Sequence, residues 1–494
     1  MRQFLLRATV TSYLLAACGH GDATGGAGSN APPTTPSVSP AAGSAGATGA
    51  TGAAVGPSAA GSSGAAGATG SAAAGGAGGS GDAAGGAQAA AEPPKPADPL
   101  PPPGYDFTPT ARLLLTVGAC GDGTPPPELP EELLKKHCDP VHQAQDAYKD
   151  NWVKKARAFF AEKVPKGLPK TVVYPFAGGD LSTALTVFPE AEEITTLSLE
   201  PAGDPRTLEA LIASSVASSV PKTKAGKPAS KSGDEDAAKD AKAKKPKVNP
   251  MLERALGTIQ SELRFLYRVN FSNTANMITA MRVGELPTQL VFGLSALKVH
   301  GYEVVSLRYF KLDANGAIQY LTDEDVTKAP NPLKGRAVMR NELFSNAEIR
   351  FRKPGGPVQT YRHIQYDLND AHLKKDPRAI KHLEAKGSIA SMTKAASYLL
   401  SWDTFATMRN YLIKHTVWMV SDATGVAPKW GKPAGFEYET YGVFQLAHLK
   451  EGHAISSDWR KEWKSQPQRE LPFRFGYYDD KINNHLVIMR KKPS

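Results

Sequence analysis

Apolar and polar positions alternate in a way that divides the middle of the chain into strands and helices. Thr171 begins an apolar run rich in β-branched residues that leads into the pair Gly178-Gly179, which predicts a buried strand. Leu181–Phe188 is typical of a short helix, and Glu193–Leu199 is a second β-rich run. Strand, short helix and strand with tight connections make a βαβ unit, which predicts that the two strands are parallel.

The same periodicities continue towards the C-terminus. Helical spacing predicts further helices at Gln143–Lys163, Met251–Val269, Leu286–Lys298, Ser388–Leu400 and Asp403–Lys414. Strands are predicted at Tyr302–Phe310, Ala347–Arg352, Val358–Asp367 and Thr416–Ser421. The aromatic segment 430–444 is predicted to be a loop packed on the core, with a cleft or a carbohydrate-binding platform as the alternative. Leu471–Tyr478 and Asn484–Arg490, with a turn between them, predict a C-terminal antiparallel hairpin. The expected fold class is α/β, with a mostly parallel sheet and helices on both faces.

Two stretches carry too few large apolar side chains to fold. Residues 18–104 consist almost entirely of Gly, Ala, Ser, Thr and Pro, which predicts a disordered tether with an r.m.s. span of roughly 50 Å. Residues 221–250 form a lysine-rich segment that is predicted to be a disordered surface insertion. We therefore expect one large α/β domain over residues 105–494, with this insertion inside it.

The first residues have the pattern of an export signal. Arg2 precedes an apolar stretch that ends in Leu15-Ala16-Ala17-Cys18. Residues 1–17 followed by Cys18 resemble a bacterial lipoprotein signal peptide that ends in a lipobox. The resemblance implies that Cys18 is lipidated and that the protein is held in the outer membrane or at the cell surface. An ordinary secretory signal with a chance cysteine is the alternative.

Charge narrows the choice of partners. The formal net charge is +10, and residues 221–247 contribute half of it with nine lysines against four acidic residues. That segment has no aromatic residues, so it does not have the character of a nucleic-acid-binding surface. We expect contact with the membrane through the lipid, with an envelope protein or small ligand of unknown identity, and with no nucleic acid.

Two further cysteines remain, Cys120 and Cys138. A cysteine pair in an exported domain predicts a disulfide, which would stabilise the fold by roughly 3 kcal/mol in the chain-entropy model. His137 and His142 flank Cys138, so a metal site is the alternative, although the spacing fits no zinc motif. Free thiols are the remaining interpretation.

The strand ends carry the residues that could form a ligand site. The first predicted strand leads to Gly178, Gly179 and Asp180, the second ends at Glu200 about 20 residues later, and another ends at Asp367. This order resembles the Rossmann-like sheet of class I methyltransferases. The resemblance implies that these five residues line a crevice for S-adenosylmethionine or a nucleotide at the carboxyl ends of the strands.

The chain also departs from that pattern. A third glycine is missing, and Pro175 removes one hydrogen-bond donor from the strand. A helix N-cap at Asp180 explains the same residues without a ligand. Because these cofactors are scarce outside the cytoplasm, no cofactor is the expectation, with S-adenosylmethionine or a nucleotide as the alternative.

Other chemical motifs are sparse. Ser391 and Lys394 have the spacing of a serine–lysine acyl transferase on one face of a helix, but the accompanying motifs are missing. Three functions therefore stay open. The first is a non-catalytic binding or scaffolding lipoprotein, the second an enzyme that uses the Gly178–Glu200 crevice, and the third a structural or adhesion component of the cell surface.

Overall fold

A ten-stranded mixed sheet forms the centre of the computed structural model. The structure describes residues 102–219, 249–270, 286–333, 342–444, 454–475 and 484–492. All of them belong to one unit, Glu92–Ser494. The predicted signal peptide, Cys18, nearly all of the predicted tether and most of the lysine-rich insertion lie outside the described residues.

The strands occur in the spatial order β4-β3-β5-β6-β2-β1-β7-β8-β10-β9. Their bounds are β1 Thr171–Pro175, β2 Glu193–Ser198, β3 Glu303–Leu312, β4 Ile318–Tyr320, β5 Asn346–Arg352, β6 Val358–Gln365, β7 Ile389–Thr393, β8 Thr416–Ser421, β9 Phe436–Gly442 and β10 His485–Lys491. β6, β2, β1, β7 and β8 run parallel, and the strands outside them pair antiparallel. The α/β class is confirmed, but the sheet is mixed and not mostly parallel.

Short connections explain the antiparallel end of the sheet. β3 and β4 are joined by a turn in which Asp313 accepts backbone hydrogen bonds from Asn315 and Ala317. β5 and β6 are joined just as closely, through residues 353–357. Turns this short reverse the chain direction, whereas parallel strands need a crossover of a dozen or more residues. The predicted parallel pair β1 and β2 has that crossover, because α4 lies between them.

Helices cover both faces of the sheet, as predicted. Their bounds are α1 Thr108–Leu113, α2 Glu131–Tyr148, α3 Lys154–Lys163, α4 Leu181–Val187, α5 Thr207–Ser219, α6 Pro250–Val269, α7 Thr288–Val299, α8 Asp323–Lys328, α9 Asp370–Lys375, α10 Arg378–Glu384, α11 Ala406–His415, α12 Pro428–Gly431 and α13 Ala454–Lys464. A π-helical turn at Lys149–Val153 joins α2 to α3. One apolar core contains residues of α1 to α7, and the other contains residues of α10 and α11.

The predicted C-terminal hairpin is wrong in its partner. β10 pairs antiparallel with β8 and with β9, and β9 lies inside the aromatic segment that was predicted to be a loop. Residues 471–475 do not form a strand. β9 has a largely alternating burial pattern, with Phe436 and Tyr438 buried and Glu437 exposed between them. Its aromatic residues therefore belong to a strand, with Phe436 and Tyr438 packed in one core and Tyr441 in the other.

The predicted helix Ser388–Leu400 is also wrong. Its first half is strand β7, all five residues of which are buried, and its second half is the 3₁₀ helix Ala395–Ser401. A strand that is buried on both faces has no polar alternation, so its sequence cannot be told from that of a buried helix by periodicity. The error matters because Lys394 lies at the junction.

The outer edge of β9 is covered by side chains. The amide of Gln466 accepts a hydrogen bond from the Thr440 N–H at 3.1 Å and donates one to the Tyr438 carbonyl at 2.9 Å. Gly442 donates to the carbonyl of Arg469 and accepts from Gln468. Backbone groups of Tyr438, Thr440 and Gly442 that a further strand would use are thus already bonded.

The predicted disulfide is present. Cys120 and Cys138 are bonded, with their Cα atoms 5.3 Å apart. The alternative metal site would use the same two sulfurs and His137, whose Nε2 donates a hydrogen bond to the carbonyl of Gly118 at 3.1 Å. Bonded sulfurs are not thiolate ligands, so the arrangement is a covalent link between α2 and the turn after α1. Among the described residues, no helix is long and apolar enough to cross a membrane.

Candidate functional site: a filled crevice at the carboxyl ends of the strands

The five predicted site residues lie at the carboxyl edge of the parallel strands. Gly178, Gly179 and Asp180 form the turn between β1 and α4, and Glu200 follows β2. Asp367 follows β6. Chain order reverses between β1 and β7, since β2 and β6 lie on one side of β1 and β7 and β8 on the other. In open α/β sheets this reversal is where a crevice forms.

Asp180 serves two roles at this point. It is the N-cap of α4, where its Oδ1 accepts hydrogen bonds from the backbone N–H and the hydroxyl of Thr183 at 3.3 and 2.6 Å. Its Oδ2 lies 2.9 Å from the ammonium group of Lys394. The N-cap interpretation is confirmed, and an ion pair that the sequence did not indicate is added to it.

Lys394 reaches Asp180 from the end of β7, across the reversal point. Its side chain has no exposed surface. The ammonium group also donates to the Thr183 hydroxyl at 3.2 Å and to the backbone carbonyl of Asn270, and it lies 5.4 Å from the centre of the Phe475 ring. Three polar partners and an aromatic face replace the water that a lysine normally requires. The ammonium group therefore occupies the centre of the crevice.

Buried hydroxyl groups complete this centre. Tyr174 donates to Asp180 Oδ2 at 3.2 Å, and Tyr148 donates to the side-chain oxygen of Asn270 at 3.0 Å. Burial, reinforced by the nearby charge of Asp180, raises the pKa of both tyrosines well above the ordinary value, so both stay protonated donors. Asn270 ends α6 in the left-handed conformation at φ 58°, which asparagine tolerates. The centre is a hydrogen-bonded polar cluster built from five separate elements, α2, β1, α4, α6 and β7, in which the Asn270 side-chain nitrogen alone has no partner among the groups named here.

The space above the glycine pair is filled as well. A Cβ atom on Gly179 would lie 2.1 Å from Cδ2 of Phe292 on α7. Helix α7 thus packs directly on the turn, and glycine is needed because no side chain fits beneath that ring. Gln289, one turn earlier on α7, donates from Nε2 to the Gly178 carbonyl at 2.8 Å.

A hydrogen-bonded chain joins the glycine turn to Glu200. Gln289 Nε2 also lies 3.1 Å from Nδ1 of His363, and His363 Nε2 donates to the Glu200 carbonyl at 2.7 Å. Burial lowers the pKa of His363 to about 4, so the ring is neutral with its proton on Nε2. The Glu200 side chain is fully buried, and neither carboxylate oxygen has a hydrogen-bond partner. The structure therefore brings the predicted residues Gly178 and Glu200 together through two residues that the sequence did not single out.

Asp367 has a local role. Its Oδ1 accepts the backbone N–H of Asn369 at 2.9 Å, which shapes the turn before α9. Asp422, which follows β8, is likewise used by the backbone: its carboxylate accepts the N–H groups of Ala395 at 3.1 Å and Thr424 at 2.9 Å. These two carboxylates hold loops in place, and Asp422 ties the end of β8 to the residue after Lys394.

The serine–lysine hypothesis fails on geometry. It required Ser391 and Lys394 on one face of a helix, but β7 and the residue after it are extended. The Ser391 hydroxyl lies 3.1 Å from that of Thr416 on β8, whereas Lys394 points to Asp180. The serine has no base beside it.

An apolar rim lies at the same edge of the sheet. Leu199 after β2 and Trp402 after β7 are 51% and 41% exposed, high values for large apolar side chains. Ring centres are 5.8 Å apart for Tyr398 and Trp402, 6.5 Å for Trp402 and Phe405, and 5.7 Å for Phe405 and Phe176. We call Leu199, Phe176, Tyr398, Trp402 and Phe405 the apolar rim. Phe176 has φ 57°, a conformation that costs free energy in a bulky residue and is typical of functional edges.

The site thus combines an interior filled with protein groups and an apolar rim that reaches the surface. Lys394 could have been noted from the sequence as a lysine directly after an apolar run, but its partner Asp180 lies 214 residues away. No protein-family model, no curated protein and no solved structure matches this chain.

Proposed function

We propose that this chain is a lipid-anchored protein of the cell envelope that binds or scaffolds a partner and does not catalyse a reaction. The observation that carries the proposal is the buried Lys394–Asp180 pair, which fills the position where a sheet of this kind would hold a cofactor. The lipobox ending at Cys18 supports the location, and the low-complexity segment after it supports a tether.

The strand order supports a methyltransferase-like ancestry for the centre of the sheet. Numbered along the chain without the β3–β5 insertion, seven strands have the order 3-2-1-4-5-7-6. The first five positions are those of a doubly wound dinucleotide sheet. The last strand is antiparallel and lies between the fifth and sixth, which is the arrangement that the resemblance to class I methyltransferases implies.

The chemistry of the filled crevice disfavours the cofactor of that family. S-adenosylmethionine carries a positive sulfonium centre, and a buried ammonium group in the same crevice would repel it. Displacing Lys394 would leave Asp180 buried without its cation, which is costly. Phe292 closes the space over Gly179 at the same time.

The apolar rim supports a binding role. Exposed apolar side chains grouped on one edge of a soluble domain are typical of interaction sites. Among the described residues, Trp402 and Leu199 are the exposed large apolar side chains, and both lie on this edge. Aromatic residues of this kind often dominate binding energy at protein interfaces.

Calorimetry tests the absence of a cofactor. Purified protein titrated with S-adenosylmethionine, NAD or ATP should show no binding heat. Saturable binding below about 100 µM, lost in Glu200→Gln and kept in the exposed control Glu190→Gln, would overturn the proposal in favour of an enzyme that uses the crevice.

Fractionation and envelope cross-linking test the location and the binding surface. Cys18→Ser should move the protein from the membrane to the soluble fraction. Trp402→Ser should remove cross-linked adducts seen with the unchanged chain, while the control Lys374→Ser, also at this end of the sheet, should keep them. If the Cys18→Ser protein stayed in the membrane fraction, the proposed lipid anchor would be contradicted. If the Trp402→Ser protein kept the cross-linked adducts, the proposed binding surface would be contradicted.

A further inference from the structure

Three buried acceptor groups without hydrogen-bond partners occur close together at the end of β2. Both carboxylate oxygens of Glu200, the hydroxyl of Ser198 and the amide oxygen of Gln289 are unpartnered, and all three residues are more than nine-tenths buried. Buried polar atoms in folded proteins are almost always hydrogen-bonded. Four such atoms in neighbouring residues need an explanation.

Their placement follows from measured contacts. Thr196 and Ser198 lie on the same side of β2, because side chains alternate along a strand. Thr196 Oγ1 is 3.4 Å from His363 Nδ1, the atom that Gln289 Nε2 also approaches at 3.1 Å. The other nitrogen of His363 bonds to the backbone of Glu200. Gln289 and the backbone of Glu200 thus contact one imidazole ring, and Ser198 follows Thr196 on the side of β2 that faces this ring.

The nitrogen donors in this neighbourhood are already committed, and the Ser198 hydroxyl makes no hydrogen bond. Gln289 Nε2 donates to Gly178 and His363, and the His363 proton goes to the Glu200 carbonyl. Burial keeps His363 neutral, so it brings no positive charge to Glu200. The two nearby cations described are paired elsewhere, Lys394 with Asp180 and Arg206 with Asp204. The group therefore holds oxygen atoms without partners, among them a carboxyl group with no cation paired to it in the described part of the chain.

We propose that Glu200, Ser198 and Gln289 bind a monovalent cation. Oxygen ligands without nitrogen or sulfur suit hard cations. One carboxylate balances one positive charge, whereas calcium sites usually gather several carboxylates. The bound cation would stabilise the link between β2 and α7, which also holds the glycine turn, and it acts as a structural ion that does not depend on the proposed partner-binding function.

Thermal unfolding of the full chain at fixed ionic strength tests the site. The probes are potassium, sodium and methylammonium chlorides, with N-methylglucamine chloride as a bulky reference. At a cation concentration about ten times the Kd, we expect the Tm to rise by roughly 2–4 °C over the reference. A response to potassium or sodium identifies a metal ion, and a response to methylammonium alone identifies an amine.

Variants make the result specific. Glu200→Gln should abolish the salt-specific rise, and Ser198→Ala, which keeps the charge, should weaken the apparent affinity several-fold. Glu190→Gln, on an exposed residue, should leave the rise unchanged. Equal Tm values in all four salts, or a rise that survives Glu200→Gln, would overturn the proposal. Stabilisation by calcium or magnesium but by no monovalent cation would overturn it as well.

Discussion

Two lysine–carboxylate pairs lie at opposite ends of the same parallel strands. Lys394 directly follows β7 and pairs with Asp180 at the carboxyl edge, while Lys386 precedes β7 and pairs with Glu193 at the amino edge. The first pair is completely enclosed. In the second, the Glu193 side chain keeps 22% of its surface exposed.

The two pairs also differ in their surroundings. Glu193 has a second cation, Arg362, which in turn bonds Glu348 at 2.8 Å, so the amino-edge pair belongs to a network. Asp180 has one cation, with hydroxyl groups as its other partners. If the lysine is removed at the amino edge, Glu193 therefore keeps Arg362 as a partner. If the lysine is removed at the carboxyl edge, Asp180 is left without a cation. The amino edge thus holds a network of shared charges, whereas the carboxyl edge holds a single enclosed pair.

Removing the Lys394 ammonium group should have the largest effect on the free energy of unfolding. Lys394→Met leaves Asp180 as a buried unpaired charge, and we expect a loss of about 4 kcal/mol in the free energy of unfolding, measured by urea denaturation. Lys386→Met is the matched control and should cost about 1–2 kcal/mol, because Arg362 still holds Glu193. Adding Asp180→Asn, which retains the N-cap, should recover part of the loss in Lys394→Met. Equal losses in the two lysine variants would break the comparison.

Lowering the pH should reduce the stability that the amino-edge network contributes, by somewhat less than the loss expected for Lys394→Met. Burial would raise the pKa of Glu193, but Lys386 and Arg362 outweigh it and hold that pKa at about 2. A lowered pKa stabilises the fold above the ordinary value near 4.5, and this contribution is lost as the pH falls from about 5 towards 2. We expect it to be on the order of 3 kcal/mol.

The difference in unfolding free energy between the unchanged chain and Glu193→Gln measures that contribution. It should shrink steadily when urea titrations are repeated from pH 6 to pH 3. Burial lowers the pKa of Lys386 although Glu193 raises it, so we assign the acid dependence to the carboxyl group. A difference that stays constant with pH would show that Glu193 is not held by its two cations.

The smallest effects are expected from substituting one glycine at the carboxyl edge and one at the amino edge of the parallel strands. Gly179→Ala pushes a Cβ against Phe292 and should cost about 2 kcal/mol, partly restored by Phe292→Leu. Gly387, just before β7, has φ 69° and open space around it, so Gly387→Ala should cost about 1 kcal/mol from its backbone conformation. Phe292→Leu should not rescue that variant, and thermal unfolding of all four proteins would show whether the carboxyl edge is the more tightly packed.

Local patterns were enough to predict the first βαβ unit. The β-branched run, the glycine turn and the second β-rich run mark β1, α4 and β2, although β1 ends at Pro175 and not at the glycine pair. Asp180 as an N-cap and the disulfide also follow from short-range or compositional rules. These features depend on neighbours in sequence.

The pairings that depend on distant residues could not be predicted in the same way. β10 finds its partner β9 across an intervening helix, α13, and no turn motif announces that contact. Lys394 follows β7, which was predicted to be helical because it is buried on both faces and has no polar alternation. Its role becomes visible when β1 and β7 are adjacent, because that adjacency carries Asp180 to it. The sequence therefore predicted the residues at the strand ends, such as Gly178 and Glu200, whereas the position of Lys394 between them became apparent from the fold.

The side-chain cover over β9 bears on colloidal behaviour. In the anchored arrangement that we propose, many copies share one membrane surface, so their local concentration is high and their sheet edges meet often. Because Gln466 bonds the Thr440 N–H and the Tyr438 carbonyl, these groups are not open to a strand of a neighbouring copy. The cover over β9 therefore disfavours polymerisation through this edge when many copies are crowded on one membrane.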